Sequence, residues 1–266
     1  MSVKLTEHDR NYIVSRGQAI LWEDESQDTA EARDYLLNTR NISEETLKKF
    51  RFGYVPRRAR HDWSERIIMP LFDPYGKLVV VTSRKFRTTD QKQFPHLHEE
   101  FNKKFFLYGI DVAKEAIINK GKIILVEGQI DTTHMHSVGF NMTAGILGSA
   151  FTLEHLSVIR RYCNEVYLMF DHDEAGLKTL KRSMLTVDKY DIRETFNMEF
   201  IPVLLPIGNK KKEDPDGFLN SHSARDMRDI LSQAKIERIQ FSIEDIDRKI
   251  KHYAISKAAK RSTSSI

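Results

Sequence analysis

Residues 166–176 read VYLMFDHDEAG: five apolar or aromatic residues, then Asp171 and Asp173 two apart, then Ala175 and Gly176, small enough for a helix to begin close by. A short apolar run without alternation fits a strand covered on both faces, as in a parallel sheet between helices. The rhythm recurs on either side. ILVEGQID (124–131) ends in Glu127 and Asp131, and VLLPIGNKKKEDPDG (203–217) ends in Asp214 and Asp216. Strands are therefore expected at Lys122–Val126, Asn141–Ala144, Val166–Phe170 and Glu199–Leu205, with helices near 130–138, 152–162 and 175–190. This is the βαβ pattern of an α/β fold with four parallel strands flanked by helices.

In such a sheet the carboxyl ends of all strands open on one edge, so acids behind three strands can converge on one crevice. A lone aspartate there is commonly a helix cap, which explains each acid separately but not the spacing of Asp171 and Asp173. Clustered carboxylates repel one another and are stable around cations, and hard oxygen donors suit Mg2+ or Mn2+ better than zinc. Metal-assisted phosphate chemistry is the function class this implies.

The N-terminal region has a different character. Residues 1–50 are helical in pattern, with Ser43 as an N-cap, Glu44 and Glu45 in the first turn and Lys48 and Lys49 in the last. IIMPLFD, a turn at Asp73-Pro74-Tyr75-Gly76, and KLVVVTSRKF predict a β-hairpin. Polar residues 88–104, interrupted by Pro95, predict a loop beside it. Beyond Pro215, residues 223–260 predict one or two helices. The expected division is a basic α+β subdomain at 1–110, the parallel-sheet subdomain at 111–220, and a C-terminal helical segment with a basic tail at 221–266.

At 266 residues and 40% apolar, the chain can bury one large core or two modest ones. Its apolar runs fall far short of the ~20 residues that cross a bilayer, and MSVKLTEHDR has no apolar signal core. Cys163 is the only cysteine, which excludes a disulfide framework and a multi-cysteine zinc site and fits a cytoplasmic setting. The net charge of +4 is uneven: Lys48 to Lys104 holds 14 Lys/Arg against 6 Asp/Glu, a balance of +8. Such an excess points to a polyanionic partner.

EGQID, AGILGSAFT, DHDEAG and DPDG together resemble the Toprim module as found in bacterial DnaG-type DNA primases. YLLNTRNISEETLKKFRFGY, SERIIMPLFDPYGKLVVVTSR and NKKFFLYGI occur in the order of comparable stretches of the primase catalytic core, so the resemblance covers residues 34–217. It implies a Toprim-type sheet and a polymerase that makes short RNA primers from ribonucleotide triphosphates on a single-stranded DNA template, with a replicative helicase as partner. By position it makes Glu127 a metal ligand or general acid/base and gives Asp171 and Asp173 to the metals, with Asp214 and Asp216 completing the cluster. Arg66, Arg84, Lys92 and Lys103, with Asp131, fall to nucleotide and template binding. Arg57, Arg58 and Arg60 would add nonspecific grip.

The departures matter too. One cysteine cannot build the zinc ribbon that usually begins such primases, so either another chain supplies it or initiation is loosely specified. KQFPH around Lys92 departs from the family's loop, and the C-terminal region is short for a helicase-docking domain. These absences suit a compact, phage-encoded form. Two other classes share part of the pattern: a Toprim nuclease needs the acids but no nucleotides, and a non-catalytic module that binds single strands needs no acids at all. His134 and His136, two apart on a helix, face different ways and make a poor metal pair, and His172 takes no role. Phe101, Phe105, Phe106 and Tyr108 are expected in the core rather than stacked on bases.

Overall fold

The computed structural model describes residues 5–59, 63–87, 96–99, 101–148, 150–208, 210–237 and 242–252, with the backbone alone at 96–98. Two compact units divide the chain: Met1–Asn102 with Tyr108–Lys114, and Lys103–Leu107 with Glu115–Ile266.

The first unit opens with helices α1 (Glu7–Glu23), α2 (Gln27–Asp34, continued by a wider turn over Tyr35–Thr39) and α3 (Glu44–Lys49). Thr6 caps α1 in a reciprocal box with Asp9, and the Ser43 hydroxyl accepts the Thr46 N–H at the start of α3. An antiparallel sheet follows in the order β1 (Gly53–Val55), β2 (Arg66–Phe72), β3 (Leu78–Lys85), β4 (His96–His98). The expected hairpin is β2–β3. Its turn closes through Gly76 N–H to the Asp73 carbonyl, while the Asp73 carboxylate accepts from Tyr75 and Lys77 N–H and Gly76 takes φ +85°.

Within the expected loop 88–104, residues 96–98 instead pair with Thr82–Arg84 as the edge strand β4. Three residues after a proline are too short to show a strand period, so the sequence carries no signal for it. Helix α1 lies on β1 at a glycine pair: a Cβ on Gly53 would stand 2.6 Å from the Gly17 carbonyl carbon and 2.9 Å from Gln18 N. Val14, Val55, Trp63, Ile68, Leu78 and Val81 form the core there. Buried Glu99 ties it together, accepting from Leu5 N–H, the Arg10 guanidinium and Val81 N–H.

After α4 (Ile110–Lys120), the second unit holds β5 (Lys122–Val126), α5 (Gln129–Ser137), β6 (Thr143–Gly145), α6 (Leu153–Ile159), β7 (Glu165–Met169), α7 (Glu174–Lys189), α8 (Ile192–Phe196) and β8 (Glu199–Val203). All four strands are parallel, in the order β6-β5-β7-β8. Every strand is buried through its last residues, as expected for a sheet covered on both faces. The chain leaves β5 towards β6 on one side and β7 towards β8 on the other, so the strand order reverses between the carboxyl ends of β5 and β7. Ligand crevices of open α/β sheets form at such a reversal.

Helices α9 (Pro215–Leu219) and α10 (Ala224–Glu237) follow in this unit, and residues 243–252 are helical as well. Lys235 pairs with Glu165 and Lys181 with Asp247 (2.6 Å), which ties the C-terminal segment to the sheet and to α7.

The glycine contact between α1 and β1 makes a paired prediction. Gly53→Ala forces backbone apart and should cost about 1–3 kcal/mol. Gly17→Ala meets nothing closer than 3.5 Å and gains helix propensity, so its thermal midpoint should match or exceed the parent's. Calorimetry of the two variants checks both.

Candidate active site

Glu127 follows the last residue of β5, and Asp171 stands two past the end of β7, so the two flank the strand-order reversal. Glu127 Oε1 is buried without a hydrogen-bond partner. Burial, then the charges of Asp171 and Asp173, push its carboxyl up to about 7. Asp171 is raised as well, chiefly by burial, with Lys212 opposing the shift and Asp214 adding to it. Small residues allow this closeness. A Cβ on Gly176 would fall 2.0 Å from the Asp171 carbonyl oxygen and 2.9 Å from Glu127 Oε1.

Asp173 caps α7, accepting Gly176 N–H at 2.9 Å, and Asp214 caps α9, accepting Gly217 N–H at 2.7 Å. The cap reading therefore holds for both, and both remain at the acidic edge, since Asp173 bears on Glu127 and Asp214 on Asp171. Asp131, in the first turn of α5, accepts Asp216 N–H at 3.1 Å. Its carboxyl is pushed up to about 8 by burial and then by Asp214, Asp171 and Asp216. Asp216 is itself 3% exposed, and its Oδ1 lies 2.9 Å from His134 Nδ1. All six acids thus feel one another at a single edge, with Asp216 also held on His134.

A divalent cation fits this donor set. Glu127 offers a buried oxygen with no other partner, and the remaining donors are hard carboxylate oxygens. Among the described residues no three His, Cys, Asp or Glu side chains stand close enough to enclose one ion. Lys212 occupies the space between two of them, its Nζ 3.3 Å from both Asp171 Oδ2 and Asp214 Oδ2.

Residues 124–219 match the family described as Toprim-like. The acids Glu127, Asp131, Asp171, Asp173, Asp214 and Asp216 all lie within that match. The chain has the fold of a DnaG-type primase catalytic core. It is 30% identical to the DNA primase of Chlamydia pneumoniae over 233 residues, covering 77% of this chain and 38% of that protein. With the DNA primase of Synechococcus elongatus the identity is 26% over 244 residues, 78% of this chain and 34% of that protein. The chain therefore spans about a third of the length of these relatives. Among solved structures, the zinc-binding and RNA polymerase domains of the Aquifex aeolicus primase superpose with a TM-score of 0.69 at 22% identity, covering 94% of this chain and 68% of that one. The RNA polymerase domain of Mycobacterium tuberculosis DnaG gives 0.69 at 18% identity, covering 98% of each.

Within this primase fold the basic residues are less of a set than the acids. Arg66 pairs with Lys85 and Ile67 with Arg84 across β2 and β3, so Arg66 and Arg84 project from opposite faces of the sheet. Arg66 is 5% exposed, whereas Arg84 is half-buried. Lys103 belongs to the second unit, in a single turn at Lys103–Phe105. Lys92 and Arg60 lie outside the described residues. Arg57 pairs with Glu65 at 2.9 Å and Arg58 with Asp24. Of the aromatics, Tyr108 is core, Phe101 and Phe106 are half-buried, and Phe105 is 53% exposed, contrary to the expectation for it. The lone turn it occupies has no second face to bury it.

His134 and Lys212 were missed by sequence reasoning. The signal for His134 was its i,i+3 spacing from Asp131, which puts both on the α5 face towards α9. Lys212 sits in a run of three lysines that looks like a solvated loop.

The raised carboxyls set a pH dependence. A folded-state value above the ordinary one means that the folded protein keeps a proton the unfolded chain releases, so this stability is full below about pH 4.5 for Glu127 and 3.8 for Asp131 and is lost as pH rises through about 7 for Glu127 and about 8 for Asp131. In chelator, the urea midpoint of the protein should fall between pH 5 and 8. Glu127→Gln should flatten the fall below pH 7. An unchanged slope in that variant would contradict the burial argument.

Proposed function

We propose that the chain is the RNA-polymerase core of a DNA primase, joining ribonucleotide triphosphates into short primers on single-stranded DNA. The observation that carries this reading is the convergence of Glu127, Asp171, Asp173 and Asp214 on the strand-order reversal of a primase-type fold. The similar proteins named above are DNA primases, and another solved neighbour is a DnaG primase catalytic domain bound to single-stranded DNA, with a TM-score of 0.71 at 21% identity.

In this reading Asp171, Asp173 and Asp214 would hold Mg2+ or Mn2+, and Glu127 stands beside them as the general acid/base. When bound, the ions would neutralise charge on the attacking and departing oxygens of nucleotidyl transfer. Burial keeps the Glu127 carboxylate basic enough to accept the proton of the attacking 3′-hydroxyl. Asp131 and Asp216 position rather than ligate: Asp131 holds the α9 backbone, and Asp216 anchors on His134. The buried wall around Glu127 excludes water from the reacting oxygen. Arg84 and Lys103, with Lys92, hold phosphates of template and nucleotide without reading bases. Arg66 belongs to the same basic function, its burial favouring a fixed contact over a mobile one. A replicative helicase is the proposed partner, and the divisions at 110 and 220 are the proposed functional boundaries. No helix among the described residues is long and apolar enough to cross a membrane.

A nuclease built on the same acids would cut DNA without nucleotides, so one assay separates the readings. With labelled single-stranded DNA, Mn2+ and ribonucleotide triphosphates, elongated oligoribonucleotides are expected and cleavage fragments are not. Asp171→Ala should abolish the products while leaving the circular dichroism spectrum unchanged. Glu127→Gln should lower the rate by about 10²–10⁴-fold, the range of a lost general base. Full activity in either variant overturns the assignment.

A further inference from the structure

The loop after β8 is pinned to the segment after β7 by one backbone bond, His172 N–H to the Glu213 carbonyl at 2.7 Å. His172 Nδ1 meets the Leu205 carbonyl, and Glu213, 4% exposed, takes Lys210 at 2.5 Å. The flanking residues Asp171, Lys212 and Asp214 meet one another instead. There Lys212 Nζ stands 3.3 Å from one oxygen of each aspartate. Its side chain is 52% exposed, so it can leave towards solvent without opening the core.

We propose that Lys212 is a tethered cation occupying the metal side of the acidic edge, which holds Asp171 and Asp214 together in the metal-free protein and is displaced when divalent ions enter. This rests on the metal site of the preceding reading. Lysine and metal compete for the same two oxygens, Asp171 Oδ2 and Asp214 Oδ2, so the affinity for metal is lowered by the work of expelling the ammonium. The lysine thereby sets the divalent concentration at which the site fills. It also keeps the edge assembled without metal, where the carboxylates would otherwise repel one another.

Titration of the full, chelator-stripped chain with Mn2+ alone, read by calorimetry and by electron paramagnetic resonance, tests this without catalysis. Lys212→Met keeps the stem and removes the charge, and should bind Mn2+ about tenfold more tightly, equivalent to about 1.4 kcal/mol. Its metal-free thermal midpoint should fall below the parent's and recover with Mn2+. Lys212→Arg should stay near the parent. Lys189→Met, which loses the same charge in the last turn of α7, should leave Mn2+ affinity unchanged. Equal or weaker Mn2+ binding by Lys212→Met overturns the inference while leaving the metal site standing, as does an equal gain in Lys189→Met. If neither the parent nor Lys212→Met takes up Mn2+, the metal site itself fails and the inference with it.

Discussion

Carboxylates crowded at the carboxyl edge of a parallel sheet are the constraint on which this molecule turns. Burial alone raises the cost of ionising Glu127 and Asp131, and each charged neighbour raises it further. A polypeptide that only had to fold would place apolar residues there. Here the sheet brings Glu127 and Asp171 to its strand-order reversal, and Gly176 removes the Cβ that would hold them apart. The protein meets the resulting repulsion in three ways: it retains protons on Glu127 and Asp131, gives helix N-termini to Asp173 and Asp214, and sets Lys212 between Asp171 and Asp214.

The helix caps show how one residue serves fold and site together. Asp173 and Asp214 each satisfy an otherwise orphaned N–H at a helix start, which fixes the rotamer of one oxygen. A carboxylate has a second oxygen, and that of Asp214 meets Lys212 Nζ at 3.3 Å on the edge. Capping and metal holding are therefore compatible uses of one side chain. Asp216 is different, because its partner is the buried imidazole of His134 and its own backbone N–H is held by Asp131. That pair of bonds packs α9 against α5 and so places Asp214, the helix cap two residues before Asp216.

The antiparallel unit solves another problem. Its sheet needs a helix laid flat on β1, and only a glycine at position 53 lets the two backbones come that close. Glu99 then gathers Leu5, α1 and β3 onto one carboxylate. The positive excess seen along residues 48–104 is real as composition, but pairing spends part of it: Arg51 on Asp111, Arg57 on Glu65, Arg87 on Glu31. Counting charges along a chain overstates what a surface presents.

Apolar runs followed by acids were enough to read the parallel strands, the helices between them and the edge where the acids collect, because strand period and chain direction are local properties. The Asp73–Gly76 turn and the Ser43 cap were legible for the same reason: each is settled within four residues. Edge strand β4 was not, since three residues are too few to show a strand period. Nor was the opposition of Arg66 and Arg84, which follows from a register of pairing between strands rather than from either strand alone. Lys212 stood in a run of lysines with nothing to distinguish it from its neighbours. Only its long-range contact with Asp171 separates it from Lys210, which turns to Glu213, and no local rule encodes a contact between residues 41 apart in the chain.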